Sequence, residues 1–143
     1  HGAPYNRIAP DEVQAAAVIE AIRAIDPSLA LLTLPGSVVG RLARDAGLTV
    51  FQEAFADRAY TPEGRLVSRR IPGAVIGDVE EVASRVSRMV REGVVEAADG
   101  TVVPVRADSV CVHGDSPGAV AMATAVRRRL VADGVDVRPF TEE

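Results

Sequence analysis

Val110-Cys111-Val112-His113-Gly114-Asp115-Ser116-Pro117-Gly118-Ala119 places a short apolar run, a polar triplet and a helix start within ten residues. The run from Ser109 to Val112 reads as a buried strand, and Ser116-Pro117 as an N-cap followed by proline at the first helical position. His113 and Asp115 therefore fall on a strand-to-helix turn. In parallel α/β folds such turns lie at the carboxyl end of the sheet, where side chains from several strands converge on ligands.

The pattern on either side of this stretch alternates in the same way. Pro10 to Ile25 carries Ala15, Val18, Ile22 and Ile25 at helical spacing, ended by Asp26-Pro27. Leu29 to Thr33 is a continuously apolar run suited to a strand buried on both faces. A second helix runs from Pro35-Gly36-Ser37 to Ala46, stopped by Gly47, and Leu48 to Ala54 is the next strand. Asp57 to Ile71 has a Pro62-Glu63-Gly64 turn signal and no sustained period, which marks a long loop at a strand end. Asp78-Val79-Glu80-Glu81 has capping-box spacing, and Val79, Val82, Val86 and Val90 form the stripe of the helix it opens. Arg85, Arg88 and Arg91 crowd the end of that helix, which suits its macrodipole. Ala98-Asp99-Gly100-Thr101 reads as a hairpin turn between Val94-Val95 and Val102-Val103. After the opening strand and its helix, Gly134 is the stop and Val135 to Val137 a last strand. This order predicts an α/β fold with parallel strands and helical crossovers, in one domain spanning residues 1–143.

Composition narrows the chemistry. With 143 residues and 48% apolar content the chain can bury a sizeable core, and a net charge of −4 with scattered arginines argues against a nucleic-acid or anionic-membrane surface. All 16 basic residues are arginine. Without a lysine this chain alone offers no Schiff base, no pyridoxal attachment and no Walker lysine. One cysteine excludes an internal disulfide framework and points to a reducing cytoplasm. Any histidine-based acid, base or metal site must use His1, His113 or both.

Two constellations can carry chemistry. His113 and Asp115, two apart on the turn, suit a base with its orienter or a pair of metal ligands. They equally suit a satisfied strand-end histidine and a helix cap. Glu53-Ala54-Phe55-Ala56-Asp57-Arg58 sets three charges at the end of another strand, where Arg58 can clamp a substrate carboxylate or simply fasten the loop with Asp57. Tyr60 can donate into the pocket, although packing its ring under the loop is the more ordinary use. Gly114 and Gly118 allow close backbone approach to a ligand, and the helix start offers free amides to an anion. Cys111 reads as an inert core thiol.

Val112-His113-Gly114-Asp115-Ser116-Pro117-Gly118-Ala119, Phe55-Ala56-Asp57-Arg58-Ala59-Tyr60-Thr61-Pro62, Val67-Ser68-Arg69-Arg70-Ile71-Pro72-Gly73-Ala74 and the opening His1-Gly2-Ala3-Pro4-Tyr5-Asn6 together resemble the LamB/YcsF family. The similarity runs in order from the first residue to Arg138-Pro139-Phe140. It implies part of a distorted TIM-like β/α barrel related to the glycoside hydrolase/deacetylase superfamily, of which this chain would be the C-terminal portion. His1 would then be the histidine of a Lys-Pro-His-Gly-Ala-Leu-Tyr-Asn-like motif, with Pro4 in place of leucine, and the chain would be cut just before it. An earlier Asp-Leu-Asn-Cys-Asp-type segment of the family is not present.

The resemblance also implies a bacterial, cytoplasmic activity: ATP-dependent opening of 5-oxoproline to glutamate by a 5-oxoprolinase, with this family supplying the A subunit beside partner subunits B and C. His113, Asp115, Asp57 and His1 would then be catalytic, with Asp115 orienting His113, and Arg58, Glu53, Tyr60 and Gly114 would bind substrate. Two other readings stay open. One is a metal-dependent carbohydrate or amide hydrolase in which His1, His113 and a carboxylate hold a divalent ion. The other is a non-catalytic module that binds a small carboxylate. A homo-oligomer fits any of them.

Overall fold

A computed structural model describes residues 2–115, 117–139 and 141. The chain divides into two compact units, His1–Glu53 and Ala54–Glu143.

The first unit opens with a helix the sequence pattern does not announce. Helix α1 (Ala3–Ile8) starts with Pro4 in its first turn, where a missing N–H costs nothing, and buries Ile8. Helix α2 (Glu12–Ile25) is capped by the Asp11 carboxylate, which accepts from the Gln14 backbone N–H at 3.1 Å. Ala15 and Ile19 of α2 are buried, with Val18 and Ile22 packed alongside. Ile25, expected on that apolar face, is 79% exposed at the helix end. Strand β1 (Leu31–Thr33) is shorter than its apolar run, because Leu29 stays in the preceding turn and is 47% exposed. Helix α3 (Val38–Asp45) begins at Ser37, whose hydroxyl accepts from the Gly40 N–H and lies 3.2 Å from the Thr33 hydroxyl. Strand β2 (Val50–Phe55) pairs in parallel with β1, Leu31 opposite Val50 and Thr33 opposite Gln52. Val39, Ala43 and Leu48 close the core of this unit against α2.

The second unit begins with the last residues of β2. The long loop that follows is ordered by its own ladder fragments: Arg58 bridges Val75 and Tyr60 bridges Leu66, both antiparallel. Helix α4 (Val79–Glu92) is capped by Asp78, which accepts from the Glu81 N–H at 2.8 Å. Its Val82, Ala83 and Val86 form one core with Met122, Ala125, Val126 and Leu130 of helix α5 (Ala119–Ala132). Strands β3 (Val94–Glu96) and β4 (Val102–Pro104) make the expected hairpin, with Val95 opposite Val103. Strand β5 (Ser109–Cys111) completes the elements.

Three expectations are corrected here. Helix α5 starts at Ala119 rather than Pro117, behind Gly118 at φ 80°, and no side chain caps it. Ser116, the expected cap, lies outside the described residues. Strand β5 is half-buried at each residue instead of buried on both faces. Val135 to Val137 form no strand: the Val135 N–H closes onto the Leu130 carbonyl at 2.9 Å, and its side chain packs on the α4–α5 core. The parallel pairing and the alternation of helices with strands give the mixed α/β class that the pattern predicts. Among the described residues no helix is long and apolar enough to cross a membrane.

Candidate functional site

Backbone pairing decides which side chains meet. The Ala56 N–H donates to the Cys111 carbonyl at 3.0 Å, so the chain leaving β2 runs beside the chain leaving β5. One residue beyond Ala56 is Asp57, and two beyond Cys111 is His113. Their side chains touch: Nδ1 of His113 lies 2.8 Å from Oδ1 and 2.9 Å from Oδ2 of Asp57. An ionised carboxylate can only accept, so Nδ1 is the donor and a neutral imidazole carries its proton there. Both groups are shielded, with the Asp57 side chain 2% and the His113 side chain 10% exposed. The Phe55 ring stacks on the imidazole, centroids 5.5 Å apart and planes 21° from parallel. Asp57 and Phe55 thus fix the ring in both tautomer and plane.

Sequence spacing made Asp115 the orienter of His113, and the geometry corrects it. Asp115 is 69% exposed and pairs with Arg69 of the long loop at 3.5 Å. Asp115 is the nearer carboxylate along the chain, but the pairing of Ala56 with Cys111 brings in one 56 positions away. Nor does Asp115 cap α5, since that helix has no side-chain cap.

Arg58 has the fastening role, not an open clamp. Its Nη2 donates to the Val67 carbonyl at 2.6 Å and its Nε to the Ala74 carbonyl at 3.3 Å, with the residue 6% exposed. Burial pushes its pKa below the usual arginine value, the nearby Arg69 adds to this, and Asp57 and Tyr60 oppose it. Tyr60 is fully buried, and its hydroxyl accepts from the Phe55 N–H at 2.9 Å. Its ring packs beneath the loop, the more ordinary of the two uses expected. Glu53 is buried in β2 and belongs to the first unit. Gly114 is exposed with open space around it, and Cys111 is half-buried. His1 lies outside the described residues.

Sequence reasoning passed over Arg85, treating it as one of three helix-end charges. Its Nη2 donates to the Arg58 carbonyl at 3.2 Å, and its guanidinium lies 5.8 Å from the centre of the Tyr60 ring. Its place between Val82 and Met89, one helical turn from each, was the available signal.

A cleft of about 730 Å³ opens between the long loop, α4 and β3, lined by Ala59, Val67, Ala74, Arg85 and Glu96 among others. Neither His113 nor Asp57 lines it. The acid-base pair and this cleft are separate features. Among the described residues no group of three His, Cys, Asp or Glu side chains is placed to hold a metal ion.

Known proteins resemble this chain along its whole length. The model of the LamB/YcsF family matches residues 1–143. The chain is 64% identical over 98% of its length to the A subunit of 5-oxoprolinase from Paracidovorax citrulli, and covers 56% of that protein. It is 57% identical over its full length to a 5-oxoprolinase A subunit, the one numbered 1, from Agrobacterium fabrum, again covering 56%. Among solved structures it is similar to the lactam utilization protein from Thermus thermophilus, with a TM-score of 0.87 and 49% identity. That match covers 96% of this chain and 55% of the Thermus chain. The chain therefore spans little more than half the length of these relatives.

Proposed function

The chain belongs to the LamB/YcsF family, and on that premise we propose that it is part of the A subunit of a 5-oxoprolinase, the enzyme that converts 5-oxo-L-proline to L-glutamate. The observation that carries the reading is the shielded Asp57–His113 pair, 2.8 Å apart just beyond the ends of β2 and β5. A lactam is a stable amide, and opening it needs a base to deprotonate the attacking water and an acid to protonate the departing nitrogen. The Nδ1–H of His113 donates to Asp57, so exchange with substrate runs through Nε2. There His113 takes a proton as the water oxygen bonds to the lactam carbonyl carbon, then delivers it to the ring nitrogen as the carbon–nitrogen bond breaks. Asp57 stabilises the imidazolium formed between the two steps.

Arg58 is assigned to holding the loop that carries Asp57. Arg69, more exposed and paired at the surface with Asp115, is the cation better placed to meet a carboxylate arriving from solvent. His1, Glu53, Tyr60 and Gly114 remain site candidates by family resemblance.

ATP supplies the driving force for lactam opening in this reading. The chain has no lysine, and none of its glycines belongs to a phosphate loop ending in Gly-Lys-Ser/Thr. ATP is taken to act through the complex as a whole, with its partner subunits B and C, and no step on these residues runs through it. Nε2 of His113 is given to proton transfer in this reading, so no step is routed through a divalent ion. The parallel strands are read as part of a TIM-like barrel in a cytoplasmic protein.

Replacement His113→Ala in the full-length subunit, assayed with its partner subunits, is expected to abolish glutamate production. Turnover at the wild-type rate would remove His113 from the mechanism.

A further inference from the structure

Arg85 is a half-buried cation at the edge of the cleft, beside an apolar stretch of α4. It sits on α4 among Val82, Val86 and Met89, all buried. Burial pushes its pKa below the usual arginine value. Its Nε is buried and has no hydrogen-bond partner among the described residues. Arg88, three residues on, is half-buried as well, but its guanidinium is paired with Glu92 and Glu96. A half-buried cation with one buried donor left unpaired contributes little to stability that an apolar residue of similar volume would not, so its contacts suggest a use other than stability.

Those contacts lead to both members of the acid-base pair. Through Nη2, Arg85 holds the carbonyl of Arg58, which belongs to the residue immediately after Asp57. Through its guanidinium face it covers the Tyr60 ring, whose hydroxyl holds the Phe55 N–H, and Phe55 stacks on His113. We infer that Arg85 is a positioning residue for the Asp57–His113 pair, setting the carboxylate from one side and the imidazole from the other. The inference rests on the catalytic role proposed for that pair.

The test uses the full-length subunit with its partners and three variants. Arg85→Met keeps the length of the stem and removes the charge and the donors. Its kcat for glutamate formation is expected to fall about 10- to 100-fold, the scale of small misplacements of reacting groups, with KM within about threefold. Its Tm is expected to hold or rise. The ¹⁵N signal of His113 Nδ1–H, assigned by its loss in His113→Ala, is expected to shift or broaden. Arg85→Lys, which keeps the charge over Tyr60 but not the planar fork, should fall between wild type and Arg85→Met.

Wild-type kcat in Arg85→Met would overturn the inference. So would a kcat loss that follows a fall in Tm while the His113 signal stays unmoved. Should Arg85→Met fail to fold, Arg85→Lys decides alone, and an unchanged kcat and His113 signal in it overturn the inference. The two proposals fail differently: normal turnover in His113→Ala defeats the role of the pair, whereas the imidazole signal reads positioning without any turnover.

Discussion

Two carboxylates near one histidine have different environments, and environment separates their roles. Asp57 is 2% exposed and meets His113 through both oxygens, whereas Asp115 is 69% exposed and meets an exposed arginine. An exposed ion pair contributes about 0–1 kcal/mol to stability and holds no ring in place. Asp115→Ala is therefore expected to leave kcat within about threefold of wild type in the glutamate assay, a small change on the catalytic scale. A loss of a hundredfold or more would return Asp115 to the orienting role that its spacing in the sequence suggested. Chemically active residue types were legible at this scale, since His113, Asp57 and Arg58 all stood out as charges at strand ends. Their pairing was not legible. Which carboxylate reaches the imidazole depends on the register of β2 against β5, and no local spacing encodes that.

Elements were legible where local chemistry marks both ends. Helices α2, α3 and α4 each begin at a capping side chain, Asp11, Ser37 and Asp78, that bonds a backbone N–H of the first turn. The start of α5 is not legible locally, because the Ser-Pro signal is overridden by a glycine in left-handed conformation two residues after the serine. Gly118 has φ 80°, and a Cβ there would meet nothing within 4 Å, so a substitution strains the backbone alone. Gly118→Ala is expected to cost about 1–2 kcal/mol in chemical denaturation. An unchanged midpoint would show that the turn relaxes freely. Further along, α4 and α5 are tied by the Ser87 hydroxyl to the Asp133 carboxylate, which also accepts from Arg129 at 2.9 Å. The Ser87 bond, then the Arg129 bond, lower the Asp133 pKa below its ordinary 3.8. A lowered carboxylate pKa means this stabilisation is complete above about 3.8 and fades as pH falls through the lower folded-state value. Asp133→Asn should therefore lower Tm at neutral pH and narrow its gap to wild type as pH drops below that range. A gap independent of pH would contradict the tie.

For the molecule as a whole, the α/β class followed from the order of apolar runs, while the length of the family's chain did not. Family membership rests on similarity over residues 1–143, and the relatives it matches are nearly twice as long. Within the second unit, two hydrophobic clusters, one around Val82, Val86 and Met122 and one around Tyr60, Met89 and Val95, carry the framework on which Asp57 and His113 meet. Asp57 and His113 are proposed to act as one catalytic unit, and groups acting as a unit lose their effect together. The most direct measurement is the rate of glutamate formation from 5-oxoproline by the full-length subunit with its partners, carrying Asp57→Asn, His113→Ala and both together. A large loss is predicted in each single variant, about 10²-fold or more, with no further loss in the double variant. Wild-type rates in either single variant, or losses that multiply in the double, would contradict that claim.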